Sequence, residues 1–379
     1  QYKPNENDQF VFTNSYQLYY RIKNRFKKNL VTLTEFPTSS VGDQDTSRFT
    51  DINLRGTYST TRIKKIDMLL GYEYAWEKGN SYKLADQIQS MQEGAVFGSA
   101  TIKPGRLQMQ PSLRYTYHSR YHSNLTPAVH ARYEFGEHTQ LRASYARGFR
   151  APTLKELYLQ FIDQNHTILG NPDLKPEKGD HVELGLDHQK NIGKWVTSYS
   201  LNAYYNAIHD LIALAVFNNH SVLRQYANLD HYRNRVLNLK ASVQYEGLTC
   251  SAGAGEIFVE KTDVTPAHQI TECTGSVSYR FRRWNTAFNF NYKYNSRQPV
   301  ITVDQQFLYT SPLHIANASI QKSLFKKKVD VQLGIKNLFN IQDATLNGIN
   351  PTQASGHTAA GSMQLFPKRS GFIDLTCRL

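Results

Sequence analysis

Polar and apolar residues alternate with a period of two along much of this chain. Between Trp284 and Tyr294 the even positions are Trp284, Thr286, Phe288, Phe290, Tyr292 and Tyr294, and the odd ones are Asn285, Ala287, Asn289, Asn291 and Lys293. A helix would repeat its apolar stripe every 3.6 residues, whereas successive side chains of a strand point to opposite faces. The same alternation sets Trp195, Thr197, Tyr199, Leu201, Ala203 and Tyr205 against Ser198, Ser200, Asn202 and Asn206. It recurs with Leu237, Leu239, Ala241, Val243 and Tyr245, and with Val329, Val331, Leu333 and Ile335. These strands run about 10 to 15 residues, the length a tilted strand needs to cross a bilayer, and longer than a soluble sandwich usually employs. With apolar residues outside and polar residues inside, the expected fold is all-β, an antiparallel transmembrane β-barrel.

The connections alternate as such a barrel requires, short on one side and long on the other. Short, often basic turns are expected near residues 26–29, 61–65, 104–105, 136–138, 191–193, 246–247, 282–283 and 326–328. Longer polar connections are expected at 37–46, 78–91, 119–124, 150–179, 218–221, 261–267, 297–312 and 341–360. This reading gives about 17 strands, an odd number where bacterial single-chain barrels have even ones. It also makes the first strand, near Phe10, run inward from the outside, so the chain reads as the C-terminal portion of a larger barrel.

Composition narrows the picture. The longest apolar run, Leu211 to Phe217, is far too short for a membrane helix. The 24 Tyr, 19 Phe and 3 Trp suit membrane interfaces, where aromatic side chains form girdles. Cys250, Cys273 and Cys377 are too scattered for a disulfide scaffold or a thiolate metal site, and share parity with apolar neighbours. They are expected reduced and facing lipid. The first residues, QYKPNENDQ, lack the features of a secretory signal. The net charge of +13 is spread over turns and polar-face positions without a nucleic-acid motif, so no nucleic-acid partner is expected; anionic lipopolysaccharide and anionic ligands account for it better. Arg114, Lys240, Lys293 and Lys336 are expected to face the lumen.

Residues 144–185 read SYARGFRAPTLKELYLQFIDQNHTILGNPDLKPEKGDHVELG. Pro152, Pro172 and Pro176 lack an amide hydrogen and force the preceding residue extended, marking where strand becomes loop. Arg147 and Arg150 have Glu156, Asp173 and Glu177 as candidate partners for holding the loop in place. The stretch closely resembles TonB-dependent outer-membrane receptors. Its first box is Phe149, Arg150, Ala151 and Pro152, its second Asn171, Pro172, Asp173 and Leu174. YYNAIHDLI (204–212), GIKNLFN (334–340) and the closing PKRSGFIDLTCRL resemble later strands of the same family. The resemblance implies a barrel of about 22 strands around an N-terminal plug that contacts TonB, with plug and early strands outside this chain and with Arg114, Lys240, Lys293 and Lys336 pairing with carboxylates of that plug. Residues 1–379 would then be the C-terminal barrel portion and 149–180 a long extracellular loop. One departure is Leu379, where family members commonly end in an aromatic residue.

Six histidines, His118, His122, His166, His220, His268 and His357, fall in or beside the predicted external loops. Neutral imidazole binds iron and is a common axial ligand of haem. The resemblance implies that a histidine between the two boxes ligates haem iron in haem receptors of the family, and His166 stands there. Tyr121, Tyr158 and Phe161 are candidates to stack on a flat macrocycle, and His122 and His357 complete the candidate set. No intrinsic cofactor is expected; haem would be cargo. No nucleophile elbow or HExxH motif appears, so catalysis is not expected. The function read from the chain is an active-transport receptor of the Gram-negative outer membrane. It would work with the TonB complex through the plug, and a surface lipoprotein is a candidate partner. Haem leads as ligand, cobalamin and ferric siderophores follow, and a passive porin is the architectural rival.

Overall fold

The computed structural model describes residues 1–40, 42–162, 167–216, 223–262, 266–301, 307–341, 343–347, 362–364 and 367–377. His166, His220 and His357 lie outside them. The described chain is almost entirely antiparallel strand, in the order β1 (Asp8–Asn24), β2 (Phe26–Lys28), β3 (Glu35–Pro37), β4 (Gln44–Ile63), β5 (Ile66–Asn80), β6 (Ile88–Ile102), β7 (Leu107–His118), β8 (His122–Glu134) and β9 (Thr139–Arg150). One short helix, α1 (Leu154–Tyr158), and the strands β10 (Gln160–Ile162) and β11 (Thr167–Leu169) follow. Next come β12 (Glu177–Ile192), β13 (Trp195–Val216), β14 (Leu223–Tyr245), β15 (Leu248–Val259), β16 (His268–Phe281) and β17 (Thr286–Asn295). The chain continues with β18 (Pro299–Ile301), β19 (Phe307–Thr310), β20 (Leu313–Leu324), β21 (Val329–Lys336), β22 (Asp343–Asn347), β23 (Ser362–Gln364) and β24 (Ser370–Cys377). Among the described residues no helix is long and apolar enough to cross a membrane. Two compact units divide the chain, one of Gln1–Ala131, Ser144–His181 and Ala207–Tyr232, the other of Arg132–Ala143, Val182–Asn206 and Arg233–Leu379.

In the first unit β1, β4, β5, β6 and β7 pair in succession. Cross-strand partners share a face, so the register sorts the side chains. Phe12, Gly56, Tyr72, Val96 and Tyr115 form one row, and Phe12, Tyr72, Val96 and Tyr115 are all exposed. The opposite face carries an ion-pair ladder: Arg55 lies 3.1 Å from Glu73, which Arg114 joins from the other side, and Arg114 is 3.8 Å from Glu93. Both guanidinium groups lie 5.6 Å from the Phe97 ring. Arg114 thus finds carboxylates within its own sheet, where a plug partner was expected.

In the second unit β14, β15, β16, β17, β20, β21 and β24 pair in chain order. Tyr279, Phe288, Ile320, Leu333 and Ile373 form an exposed apolar row across five strands. Asn289, Asn291 and Lys336 fall on the other face, where Ser278 Oγ donates to Asn289 Oδ1 at 2.8 Å and Gln332 Nε2 to Ser319 Oγ at 3.0 Å. Lys293 lies 3.9 Å from Glu272, again within the sheet. Cys250 pairs with Val277, Cys273 with Tyr294 and Cys377 with Val329, and all three thiols are free.

One element departs from expectation. Residues 26–37 do not turn and cross again; β2 and β3 form a small hairpin of their own, and β1 pairs directly with β4. Asn29 makes the turn: its side-chain oxygen accepts from the amides of Val31 and Thr32, and its backbone amide donates to Thr34 O at 2.9 Å. That side-chain-to-backbone turn is the ordinary behaviour of Asn and stops the segment after three paired residues. The long strands are therefore β1, β4 to β9, β12 to β17, β20, β21 and β24, an even number among the described residues. The odd strand count does not hold, nor does the argument drawn from it about the direction of the first strand.

Candidate functional site

The prolines delimit the long connection as their chemistry requires, since β9 ends at Arg150 and β12 begins at Glu177. Between them Thr153 caps α1. Its hydroxyl accepts from the Glu156 amide at 3.2 Å, and the Glu156 carboxylate accepts from the Thr153 amide at 2.8 Å, a reciprocal capping box. Glu156 has a second task. Arg150 reaches it through Nη1 at 2.9 Å and forks onto Glu177 through Nε at 2.8 Å and Nη2 at 2.6 Å. Glu177 also accepts the Ile212 amide at 2.8 Å. One planar guanidinium thus ties the end of β9, the helix and the start of β12 together, a geometry that lysine cannot supply. Arg147 meets Asp180 at 3.3 Å, beside a 2.7 Å hydrogen bond from the Tyr145 hydroxyl to the same carboxylate.

The loop is packed down on its neighbours. Leu157, Leu174 and Ile212 form a buried cluster with Met91, Tyr158 and Tyr226 against it, and Pro152 and Leu154 are buried too. Gly170 lies so close to α1 that a Cβ would stand 2.6 Å from the Leu157 carbonyl and the Tyr158 amide. Asn171 donates from its amide to Glu156 O at 2.8 Å and from its side chain to Tyr226 O at 3.1 Å, and its Oδ1 accepts the Asp173 amide at 2.9 Å. Asn228 of β14 clasps Lys175 at both backbone groups, at 2.8 and 3.0 Å. From the β7–β8 turn, Arg120 donates to the Tyr158 hydroxyl at 2.9 Å and to Pro172 O, and the Tyr121 hydroxyl donates to Leu174 O at 2.9 Å. Burial raises the Tyr121 phenol above its ordinary value of 10.0, with Arg120 opposing, so it stays a donor. The β5–β6 connection completes the seat, with Ala85 N donating to Tyr158 O at 2.8 Å and Gln160 N to Lys83 O at 2.7 Å.

Both boxes therefore form one scaffold, and Tyr158 belongs to it as a packing residue. Phe161 is half-buried on the β10–β11 hairpin with Lys83 Nζ 4.4 Å from its ring centre. His122 opens β8 with a φ of 55° and is exposed. His118 is buried instead, its Nδ1 accepting from the Arg120 amide at 3.1 Å. His166 is preceded by three other undescribed residues after Ile162 and is followed at once by Thr167, and those two described residues pair across the hairpin. Beyond it, β11 pairs parallel to β14. Among the described residues no group of three or more His, Cys, Asp or Glu is placed to hold a metal. Sequence reasoning missed Arg120, Gly170, Asn228 and Asp180. Gly170, directly before an Asn-Pro turn, carried a signal; Asn228 carried none, because its partner is 53 residues away.

This strand architecture and the boxed loop define a class, and the chain belongs to the family described as TonB dependent receptor-like, β-barrel, whose model matches residues 1–338. The family is one of transport receptors of the Gram-negative outer membrane. Among similar proteins, the hemoglobin-haptoglobin utilization protein B of Neisseria meningitidis is 33% identical over 95 residues, 25% of this chain and 11% of that protein. The heme/hemopexin utilization protein C of Haemophilus influenzae is 23% identical over 255 residues, 57% of this chain and 36% of its own length. A ferric enterobactin receptor of Pseudomonas aeruginosa superposes with a TM-score of 0.74 at 15% identity, covering 98% of this chain and 60% of that one. The chain thus spans only about a tenth and about a third of the lengths of these two curated relatives.

Proposed function

We propose that the whole receptor takes up haem across the outer membrane, using energy delivered by the TonB complex through a plug domain. The observation that carries this reading is the docked loop: its described residues are fixed on both sides of the 163–166 segment, which contains the one histidine between the boxes. Support for haem as cargo comes from the relatives whose names carry heme and hemoglobin. In this reading His166 ligates haem iron as a neutral imidazole, a chemistry common to haem proteins. Phe161, His122, Tyr158 and His357 are the further candidates to line the cargo's path. Lipopolysaccharide and outer-membrane lipid surround the apolar face, and a surface lipoprotein is a candidate for delivering cargo.

The experiment replaces His166 with Ala in the whole receptor. Heat-modifiable gel mobility and the amount of receptor in the outer membrane show whether the variant has folded and inserted. Haem-supported growth and the absorption band of bound haem should both fall, with growth on free iron unchanged. Intact haem uptake in the variant, or a purified receptor that takes cobalamin or a ferric siderophore and ignores haem, removes His166 from the site and replaces the cargo.

A further inference from the structure

On the short-turn side, two adjacent turns of the second unit carry a charge and polarity pattern that transport does not use. The first is a 3-10 turn at Arg282–Trp284, the second a 3-10 turn at Phe325–Lys327. They are neighbours because β17 and β20 pair, with Thr286 opposite Lys322, and Ser323 N donates to Asn285 O at 2.9 Å. Residues 280–286 read RFRRWNT and 321–330 read QKSLFKKKVD, seven cations against the single carboxylate of Asp330. That carboxylate is buried and accepts from Ser323 Oγ at 2.5 Å.

The register places these cations in two settings. Arg280 falls on the polar face, and with Arg282, Asn285, Gln321, Ser323 and Asp330 it lines a cavity of about 410 Å³. Lys322 is different: its row is Phe281, Thr286, Lys322, Val331 and Leu375, so it sits on the apolar face, exposed, with Ile320 and Leu324 as same-face neighbours along its strand. A lysine there extends its ammonium to the polar edge while its stem lies on hydrocarbon. Around it the aromatic side chains crowd outward. Trp284 is 60% and Phe325 73% exposed, and Phe281 stacks on Trp284 with ring centres 5.5 Å apart. Arg283, Lys326 and Lys328 are exposed beside them. Aromatic rings at the level of the headgroups with cations just beyond are what an anionic lipid headgroup fits.

We propose that this pair of turns binds an anionic phospholipid of the inner leaflet, its phosphate held among Arg283, Lys322, Lys326 and Lys328. Its acyl chains lie along Phe281, Trp284, Ile320 and Leu324. The inference rests on the reading of the long connections as extracellular, which sets the short turns at the periplasmic edge of the barrel, and it adds a lipid site to the barrel wall.

The test uses the whole receptor in a non-ionic detergent, mixed with phosphatidylglycerol or phosphatidylcholine, with bound lipid counted by native mass spectrometry. Phosphatidylglycerol is retained in preference, and R283Q/K322Q/K326Q/K328Q weakens its retention about tenfold or more. The charge-keeping variant K322R/K326R/K328R retains it. Heat-modifiable gel mobility reports whether each barrel has folded, so a failure of the barrel reading is seen separately from a failure of the lipid site. Four results overturn the proposal: equal retention of the two lipids, unchanged retention in a folded quadruple variant, an equal loss in K64Q/K65Q/K103Q/R106Q at other short turns, or displacement by inorganic phosphate at matched concentration.

Discussion

Arg150 joins three segments of chain through one side chain, so its replacement has a local signature. Arg150→Gln removes the fork onto Glu177 while leaving the strands paired, and Glu177 then loses what orients it toward the Ile212 amide. Hydrogen exchange at that amide should quicken about tenfold, the effect of about 1.4 kcal/mol expected for a partly exposed charge-assisted bond. Arg150→Lys should not restore it; full protection in either variant would show the fork to be idle. Gly170→Ala tests the close approach to α1, because the new methyl would meet backbone at 2.6 Å. The loop should lift, with faster proteolysis between 151 and 176 and an unchanged barrel; unchanged proteolysis contradicts the packing. Asp43 gives a pH dependence. The Thr38 hydroxyl and then Arg25 hold its carboxyl below the ordinary 3.8, so the native fold favours the carboxylate. Its bracing of residues 25–43 is present above that ordinary value and lost as pH falls through the lowered one, which cleavage of the loop across an acid series would read. At this scale the sequence was legible where chemistry is local: the prolines and the Arg150 box announced themselves. Asn228 and Arg120 act across more than 50 residues, on partners that no local pattern names.

Strand periodicity placed most elements well, because a face that meets hydrocarbon tolerates few polar residues and the opposite face few apolar ones. The exception is instructive. Lys27 and Lys28 look like the basic short turns elsewhere, and the alternating residues after them look like a returning strand. The apolar residues there are instead exposed on a hairpin, with Leu30 84% and Val31 92% accessible, and the segment is too short to span. Periodicity reports a strand but not its length, and a turn made by an Asn side chain ends one without a Gly or Pro to mark it. Thr32→Cys checks the correction. A membrane-impermeant maleimide should label it on intact cells, since the hairpin shares the long-loop side with the 25–43 connection. Labelling only after the periplasm is opened would reinstate the short-turn reading.

For the molecule as a whole, one reading of the sequence met independent support: the alternating faces, now seen in the registers. The ligand was not legible in the same way. Ligand specificity is set by single side chains in irregular segments, where periodicity says nothing. The most direct measurement is therefore uptake. Cells lacking other haem receptors, given the whole receptor, should accumulate haem and grow on it as their iron source, and should lose both when TonB is deleted. Accumulation that persists without TonB, or cells that import cobalamin or a ferric siderophore but no haem, would contradict the account.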